Sequence, residues 1–207
     1  MTHSEPLAPW RSPLSKALHK NRSQPFARYF QLATVRPNST PANRTVVFRG
    51  FLQDTNSLMM ISDRRSQKIA QIERNPSAEI CWYFTKTREQ FRLSGSLTLI
   101  TADTANNNAA IAELVNARQQ VWRNISDNAR LQFAWPDPKA PRNAEDKDAF
   151  NPPPPDDKTP LDTFCLLLLN PVSVDYLSLR GEPQTRILYR QVCDQLDNDW
   201  QTTTVNP

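Results

Sequence analysis

Short apolar and aromatic runs recur along most of the chain with the period of β-strands. Residues 44–52 are β-branched and aromatic, and residues 90–101 alternate apolar with polar side chains, as on a half-buried sheet. Turns are predicted at Asp54-Thr-Asn and, before the last run, at Asp197-Asn-Asp199. The pattern predicts strands at 26–35, 44–52, 57–62, 78–85, 90–101, 164–170, 172–179, 185–192 and 200–205. We therefore expect a mainly β, antiparallel fold.

Four segments change to the period of a helix. Residues 66–74 place apolar side chains on one face, with Ser66 as the N-cap, and residues 105–123 repeat apolar side chains every three or four positions. Shorter helices are predicted at 127–133 and near the N-terminus, where Ser12 is the predicted N-cap and a proline follows it. In the predicted fold these helices flank the sheet.

Residues 136–160 contain eight of the 18 prolines and few apolar residues. This composition predicts a long polyproline-like loop. Because the short strands after the loop cannot form a core alone, we expect a single domain over residues 1–207. Among those strands, residues 164–169 are apolar on both alternating faces, so one face fills the interior and the other needs a helix or a second subunit to cover it.

Scarce residue types argue against several classes of site. The two histidines lie in the N-terminal arm, which argues against a His-based metal site or a Ser-His-Asp triad. Three glycines cannot form a Walker loop or a dinucleotide-binding GxGxxG motif, so a phosphate group would have to be bound by side chains. We therefore expect neither a metal site nor a glycine-rich phosphate loop.

Cysteine usage and hydropathy predict the cellular setting. The three cysteines are widely spaced and form no CxxC pair, which argues against a disulfide framework or a structural zinc site. No apolar run approaches the roughly 18 residues that a membrane-spanning helix requires. Residues 1–10 show no secretory signal pattern. We expect a cytoplasmic protein with no membrane partner.

Positive charge is concentrated in one part of the chain. Residues 44–92 contain nine Lys and Arg against five Asp and Glu, a net charge of +4 that equals the formal charge of the whole chain. An anionic ligand near this segment would account for the excess, and so would a solvated charged face. Charge alone leaves both interpretations open.

Four motifs occur in an order and spacing that resemble a known family. They are Arg44-Thr-Val-Val-Phe-Arg-Gly-Phe, Met60-Ile-Ser-Asp-Arg-Arg-Ser-Gln-Lys-Ile, Asn75-Pro76 and Gln90-Phe-Arg-Leu-Ser-Gly. With residues 171–177 and 186–189 they resemble the flavin mononucleotide (FMN)-binding core of the pyridoxamine 5′-phosphate oxidase family, most closely its cyanobacterial-type branch. The match covers residues 26–102 and 162–207 and implies an FMN-binding split β-barrel.

The resemblance implies which residues bind the FMN phosphate. The corresponding positions are Arg44, Ser66, Gln67 and Lys68. The start of the helix predicted at Ser66 would add backbone N–H groups and a favourable dipole. Gln67 replaces the family's usual Arg, and Arg64 or Arg65 could restore the lost charge.

Other implied contacts surround the flavin ring. Arg49 retains a cation near the ring edge, Gln90 matches a glutamine that hydrogen-bonds the ring, and Arg186 matches a late arginine that reaches its polar atoms. The position of the family's tryptophan falls near Leu177 in this sequence. The full implied site is Arg44, Thr45, Val46, Val47, Arg49, Ile61, Ser62, Ser66, Gln67, Lys68, Gln90 and Arg186. No catalytic residue is predicted.

An FMN-dependent oxidoreductase acting on a small molecule is the leading hypothesis, because the flavin carries the redox chemistry without a triad. A non-catalytic flavin-binding or flavin-sensing protein is the alternative. A nucleic-acid binder is less favoured, because the cations of residues 44–92 are interleaved with carboxylates and strand aromatics usually lie in the core. Residues 180–186 lack the family's Arg-x-His substrate clamp, so oxidation of pyridoxine 5′-phosphate is expected to be weak. The resemblance also implies a homodimer whose subunits share each FMN site.

Overall fold

A nine-stranded antiparallel sheet, curled into half of a barrel, forms the centre of the computed structural model. The structure describes residues 7–105, 107–142, 148–194 and 197–207, with only the backbone at 193–194 and 197–198. The strands are β1 (Tyr29–Val35), β2 (Pro41–Val47), β3 (Gly50–Phe51), β4 (Leu58–Asp63), β5 (Ser77–Phe84), β6 (Glu89–Ile100), β7 (Phe164–Ser178), β8 (Thr185–Asp194) and β9 (Asp197–Val205). The helices are α1 (Arg11–Asn21), α2 (Gln67–Arg74), α3 (Ala109–Asn124) and α4 (Asp127–Leu131), with 3-10 turns at Pro25–Arg28, Gln132–Ala134 and Asp148–Phe150.

The long strand β7 is where the sheet divides. The strand order is β2-β1-β5-β6-β7-β4-β3, with β8 and β9 branching from β7. Residues 164–169 of β7 pair with β4, and residues 173–178 pair with β8 on the same edge. β6 runs along the opposite edge over the length of β7. This architecture confirms the predicted mainly antiparallel split barrel with flanking helices.

The two strands predicted on either side of Pro171 are one strand. The register shifts where Gly95 of β6 pairs with Pro171, which leaves Val172 without a partner on β6 and 49% exposed. Glycine is required at this crossing because a Cβ atom there would lie 2.0 Å from the backbone oxygen of Asn170. The proline therefore marks a β-bulge and not the end of a strand.

The strand predicted over residues 44–52 is interrupted after Val47. Gly50, which begins β3, has a φ of 127°, a conformation that residues with side chains rarely adopt. Arg49 lies in the break, and its backbone N–H donates to the carbonyl oxygen of Met59 at 2.9 Å. The interruption therefore changes the backbone direction at a residue that the resemblance assigns to the ring edge.

One predicted helix cap and one predicted hairpin turn were wrong. α1 begins at Arg11 with Trp10 as its N-cap, so Ser12 lies inside the helix; the fully buried Trp10 packs edge-on against Trp200 and sets this start through tertiary contacts. Residues 197–199, predicted as a turn, are strand residues of β9 that pair with residues 192–194. The connecting residues 195–196 lie outside the described part of the chain.

The apolar run 164–169 of β7 is buried on both faces. Alternate residues belong to the core inside the curled sheet, and the others belong to a second core beneath α3. In that second core the ring of Trp122 lies 4.9 Å from the ring of Phe164, edge to face. A helix therefore covers the second face, and this run gives no support for a second subunit.

Two findings apply to the described residues only. No helix among them is long and apolar enough to cross a membrane. They also contain no group of three or more His, Cys, Asp or Glu side chains that could hold a metal ion. Cys81 and Cys165 are free thiols, and the side chain of Cys193 lies outside the described atoms.

Candidate cofactor site

A cavity of about 680 Å³ lies between the sheet and a segment that runs from α4 into the proline-rich loop. Its volume falls within the range of sites for small molecules and cofactors, about 300–1,000 Å³. Parts of residues 129–142 and 149–150 form one wall. The other wall, from β2, β4, α2 and the break at residue 49, is Arg44, Thr45, Val46, Val47, Arg49, Ile61, Ser62, Asp63 and Lys68. Most of the site implied by the resemblance is thus brought together.

Arg44 points its guanidinium into this cavity wall from β2 and is held by neutral oxygens. Its Nη1 donates to the backbone oxygen of Leu32 at 3.1 Å and to Thr34 Oγ1 at 2.6 Å, and its Nη2 donates to Gln71 Oε1 at 3.1 Å. Burial, and to a lesser degree the nearby Arg36, lowers the pKa of Arg44. The charge is therefore oriented without being neutralised.

Lys68, in the first turn of α2, is held in the same way. Its Nζ donates to the hydroxyl oxygens of Ser62 and Ser66, each at 2.8 Å. Ser66 occupies the predicted N-cap position, but its side chain accepts from Lys68 and caps no backbone N–H. Burial, followed by the charge of Arg44, lowers the pKa of Lys68.

Arg64 and Arg65, the suggested replacements for the missing charge at position 67, are paired with carboxylates. Arg65 binds both carboxylate oxygens of Asp63, at 3.0 and 2.7 Å, and one oxygen of Asp137 at 3.0 Å. These hydrogen bonds, those to Asp63 first, raise the pKa of Arg65. Arg64 forms an ion pair with Asp103 at 2.5 Å. Both guanidinium groups are thus engaged by carboxylates, and neither residue lines the cavity.

The cavity wall therefore has an excess of positive charge. Its two described carboxylates, Asp63 and Asp137, both pair with Arg65. No ion pair within the described residues includes the cations of the wall. Those cations are Arg44, Arg49, Lys68, Lys139 and Arg142. An anionic group bound in the cavity would neutralise part of this charge.

Arg49 contributes a donor that has no partner. Its Nε atom is buried and makes no hydrogen bond with the described protein atoms. Burial, followed by the charge of Arg28, lowers the pKa of Arg49. Unpaired buried donors are costly, so an acceptor on a bound ligand would stabilise this side chain.

Gln90 and Arg186, the two remaining ring-binding residues of the resemblance, do not line the cavity. They lie in one row across three strands, because Gln90 pairs with Leu177 and Leu177 pairs with Arg186. Side chains in such a row share one face of the sheet. Arg186 is engaged there by both carboxylate oxygens of Asp175, at 3.0 and 2.7 Å.

The wall formed by the loop segment was not predicted as part of the site. Trp135 packs edge-on against Phe150 with ring centroids 5.8 Å apart, and the Arg142 guanidinium lies 4.7 Å from the Phe150 centroid. The Nε1 atom of Trp135 is buried without a partner among the described atoms. Aromatic and cationic residues interspersed in a proline-rich stretch are the signal that could have indicated this wall.

The residues of the cavity fit FMN. The phosphate dianion requires cations without carboxylate partners, which Arg44 and Lys68 supply. The polar edge of the flavin ring requires donors, and Arg49 has one that is buried and unpaired. The apolar side chains of Val46, Val47 and Ile61 line the same cavity and offer a surface to the ring.

Comparisons with known proteins agree with this fit. Residues 7–101 match the family model for the FMN-binding domain of pyridoxamine 5′-phosphate oxidase. A protein from Arabidopsis thaliana named pyridoxine/pyridoxamine 5′-phosphate oxidase 2 is 34% identical over 202 residues, which cover 97% of this chain and 98% of that protein.

Solved structures give the same result. A pyridoxamine 5′-phosphate oxidase-related FMN-binding protein from Nostoc punctiforme is 55% identical, with a TM-score of 0.89 and coverage of 97% of this chain and 99% of that one. PhzG from Burkholderia lata, solved with tetrahydrophenazine-1-carboxylic acid, is 15% identical with a TM-score of 0.76, covering 100% and 97% of the two chains, and shares the fold. The chain belongs to the pyridoxamine 5′-phosphate oxidase family, whose domain binds FMN.

Proposed function

We propose that this protein is an FMN-dependent oxidoreductase that acts on a small molecule, with the flavin in the cavity beside Arg44 and Lys68. The supporting observation is that both cations are held by neutral oxygens in a cavity whose described carboxylates are paired elsewhere. Bound FMN supplies hydride chemistry, while the protein supplies position and electrostatics.

The proposed roles of the protein residues follow from their contacts. Arg44 and Lys68 would bind the phosphate oxygens, with Ser62 and Ser66 orienting the Lys68 ammonium. Arg49 would donate its free Nε–H to an acceptor at the ring edge. Acceptor atoms of the ligand would thus supply hydrogen bonds that the protein alone does not make.

A second subunit would complete the site. Gln90 and Arg186 do not line the cavity of their own chain, yet they lie together in one row of an accessible face. Tyr83 of β5 pairs directly with Gln90, so it lies on the same face, and it is 42% exposed. A homodimer that placed this row against the partner's cavity would give each flavin ring two walls.

Pyridoxine 5′-phosphate is expected to be a poor substrate. Residues 180–184 lie in the exposed connection between β7 and β8, and residues 185–186 begin β8. None of these residues is a histidine, and Arg180 donates to the Lys86 backbone oxygen at 2.8 Å. A phosphate clamp of the Arg-x-His kind is therefore missing from this connection. Formation of pyridoxal 5′-phosphate under oxygen should be well below about one turnover per second, the lower end for ordinary enzymes. A faster rate would show that another part of the cavity binds this substrate.

The first test of the proposal is the visible absorption spectrum of the purified protein, followed by FMN titration of the apoprotein. The two visible flavin bands at one FMN per chain are expected. An FMN-loaded protein whose bands no electron donor bleaches would instead be the non-catalytic flavin binder, and the absence of binding would refute both. Nucleic acid is disfavoured as the ligand, because Phe48, Trp82 and Phe91 are buried in the core.

A further inference from the structure

The segment after α4 is fixed to the barrel at its base. Phe133 is buried, with its ring 5.0 Å from that of Phe164 in the core beneath α3. Two residues later, the backbone oxygen of Trp135 accepts from Arg65 Nη1 at 2.8 Å, and Asp137 pairs with the same guanidinium. These contacts tie the start of the proline-rich loop to the residues just before α2.

Lys139 extends from this fixed base to the start of α2. Its Nζ donates to the side-chain oxygen of Gln67 at 2.5 Å, across 72 positions of sequence. Its backbone has a φ of 68°, in the left-handed region that lysine seldom occupies and that glycine or asparagine would adopt more easily. Lys139 takes this conformation in a turn where the backbone N–H of Ala140 donates to the carbonyl oxygen of Asp137 at 3.1 Å.

Lys139 adds a third positive charge beside Arg44 and Lys68. It lines the same cavity as Arg44 and Lys68, and its partner Gln67 is a neutral amide. The charge of Lys139 is close enough to Lys68 to contribute, after burial and Arg44, to the lowered pKa of the Lys68 ammonium. Three cations gathered without a carboxylate partner among the described residues repel one another, and a doubly charged anion would reverse that cost.

We infer that Lys139 is a third cation of the site for a phosphate monoester and that Gln67 holds its ammonium there. This inference rests on the proposed FMN site and adds to it a ligand contact from a part of the chain that the sequence motifs do not include. It also accounts for Gln67 itself: the position that resembles the family's Arg carries no charge here, and the charge comes from Lys139.

The test compares FMN with riboflavin, which lacks the phosphate, by fluorescence titration of the apoprotein. Lys139→Ala should weaken FMN binding by roughly tenfold, the scale of one hydrogen bond to a charged group, and change riboflavin binding by less than about twofold. Lys158→Ala is the matched control, because Lys158 is an exposed lysine of the same proline-rich loop that does not line the cavity. Its FMN affinity should equal that of the unmodified protein.

A rescue variant separates the phosphate contact from general effects on the wall. Adding Gln67→Arg to Lys139→Ala returns a cation to α2 and should recover most of the lost FMN affinity. Unchanged FMN binding in Lys139→Ala, equal losses for FMN and riboflavin, or no recovery in the double variant would each overturn the inference. Failure of the unmodified protein to prefer FMN over riboflavin would instead refute the proposed site, so the two failures are distinguishable.

Discussion

Cations at two places on this sheet have opposite kinds of partner. In the cavity, Arg44 and Lys68 are oriented by backbone, hydroxyl and amide oxygens. On the accessible face of β7 and β8, Arg186 is bound by both oxygens of Asp175, and Arg92 of β6 pairs with Glu79 at 3.0 Å. The first arrangement fixes direction and leaves the charge available, whereas the second neutralises the charge.

The difference shows why a count of charges predicted a ligand only weakly. Arg44 and Arg92 both belong to the nine cations of residues 44–92 and are equivalent in composition. An exposed ion pair such as that of Arg92 contributes little, about 0–1 kcal/mol. A half-buried cation held by neutral oxygens has lost solvation and gained no counter-charge, so a bound anion changes its free energy far more. Anion binding is therefore expected in the cavity and not along the whole basic stretch.

The largest expected effect comes from removing the ligand's charge. Riboflavin should bind more weakly than FMN by about 3–6 kcal/mol, because the hydrogen bonds from Arg44 and Lys68 to the phosphate would be lost together. Isothermal titration of the apoprotein with each compound measures the difference. Equal affinities would mean that the unpaired cations of the cavity do not serve the phosphate.

A smaller effect is expected from removing one cation at a time. Arg44→Ala and Lys68→Ala should each weaken FMN binding by about 1.5–3 kcal/mol, the scale of hydrogen bonds to a charged group. Arg92→Ala is the control, because Arg92 is a cation already paired with a carboxylate. It should change FMN affinity by less than about 0.5 kcal/mol. Losses as large in Arg92→Ala as in Arg44→Ala would remove the distinction between the two groups.

The sequence predicted the local elements better than their junctions. Alternation and composition were sufficient for β5, β6 and α2, because their patterns are set by residues near in sequence. The bulge at Pro171 depends instead on Gly95, whose missing side chain lets β6 approach β7. The start of α1 depends on Trp10 packing against Trp200, far along the chain. Such junctions are set by long-range contacts that local patterns do not contain.

The candidate site could be predicted only in part, because it too depends on contacts between residues far apart in sequence. Motif order indicated Arg44 and Lys68, which the structure places in one cavity. The partners that keep their charges available, among them Gln71 and Thr34, are recognisable only from the fold. Lys139 lies in a loop whose composition indicated irregular structure and nothing more. Whether a cation is neutralised is a property of its neighbours in space, so residue type and motif alone could not show it.

The smallest expected effect on FMN affinity comes from Arg186, a carboxylate-paired cation that would reach the flavin of a second subunit. If the row containing Gln90 and Arg186 completes the partner's flavin site, Arg186 must exchange one acceptor, Asp175, for another on the flavin. An exchange between two polar partners has a small net free energy, so Arg186→Ala should raise the Kd for FMN only a few-fold. The variant should also dissociate into monomers at a higher protein concentration than the unmodified protein does. Arg92→Ala, which removes another cation beside Asp175, is the matched control and should leave dimerisation unchanged.

Sedimentation equilibrium with absorbance read at a visible flavin band measures mass and occupancy in one experiment. A shared site predicts that mass and bound FMN fall together on dilution, because a monomer retains the phosphate cations but loses the second wall of the ring. Arg44→Ala should lower FMN occupancy and weaken the dimer only through that loss, so that excess FMN restores both, because Arg44 lies in the cavity and not in the row of Gln90 and Arg186. A monomer near 23.7 kDa that keeps one FMN per chain would contradict the shared site. It would leave Arg44 and Lys68 as the phosphate ligands, because their geometry is complete within one chain.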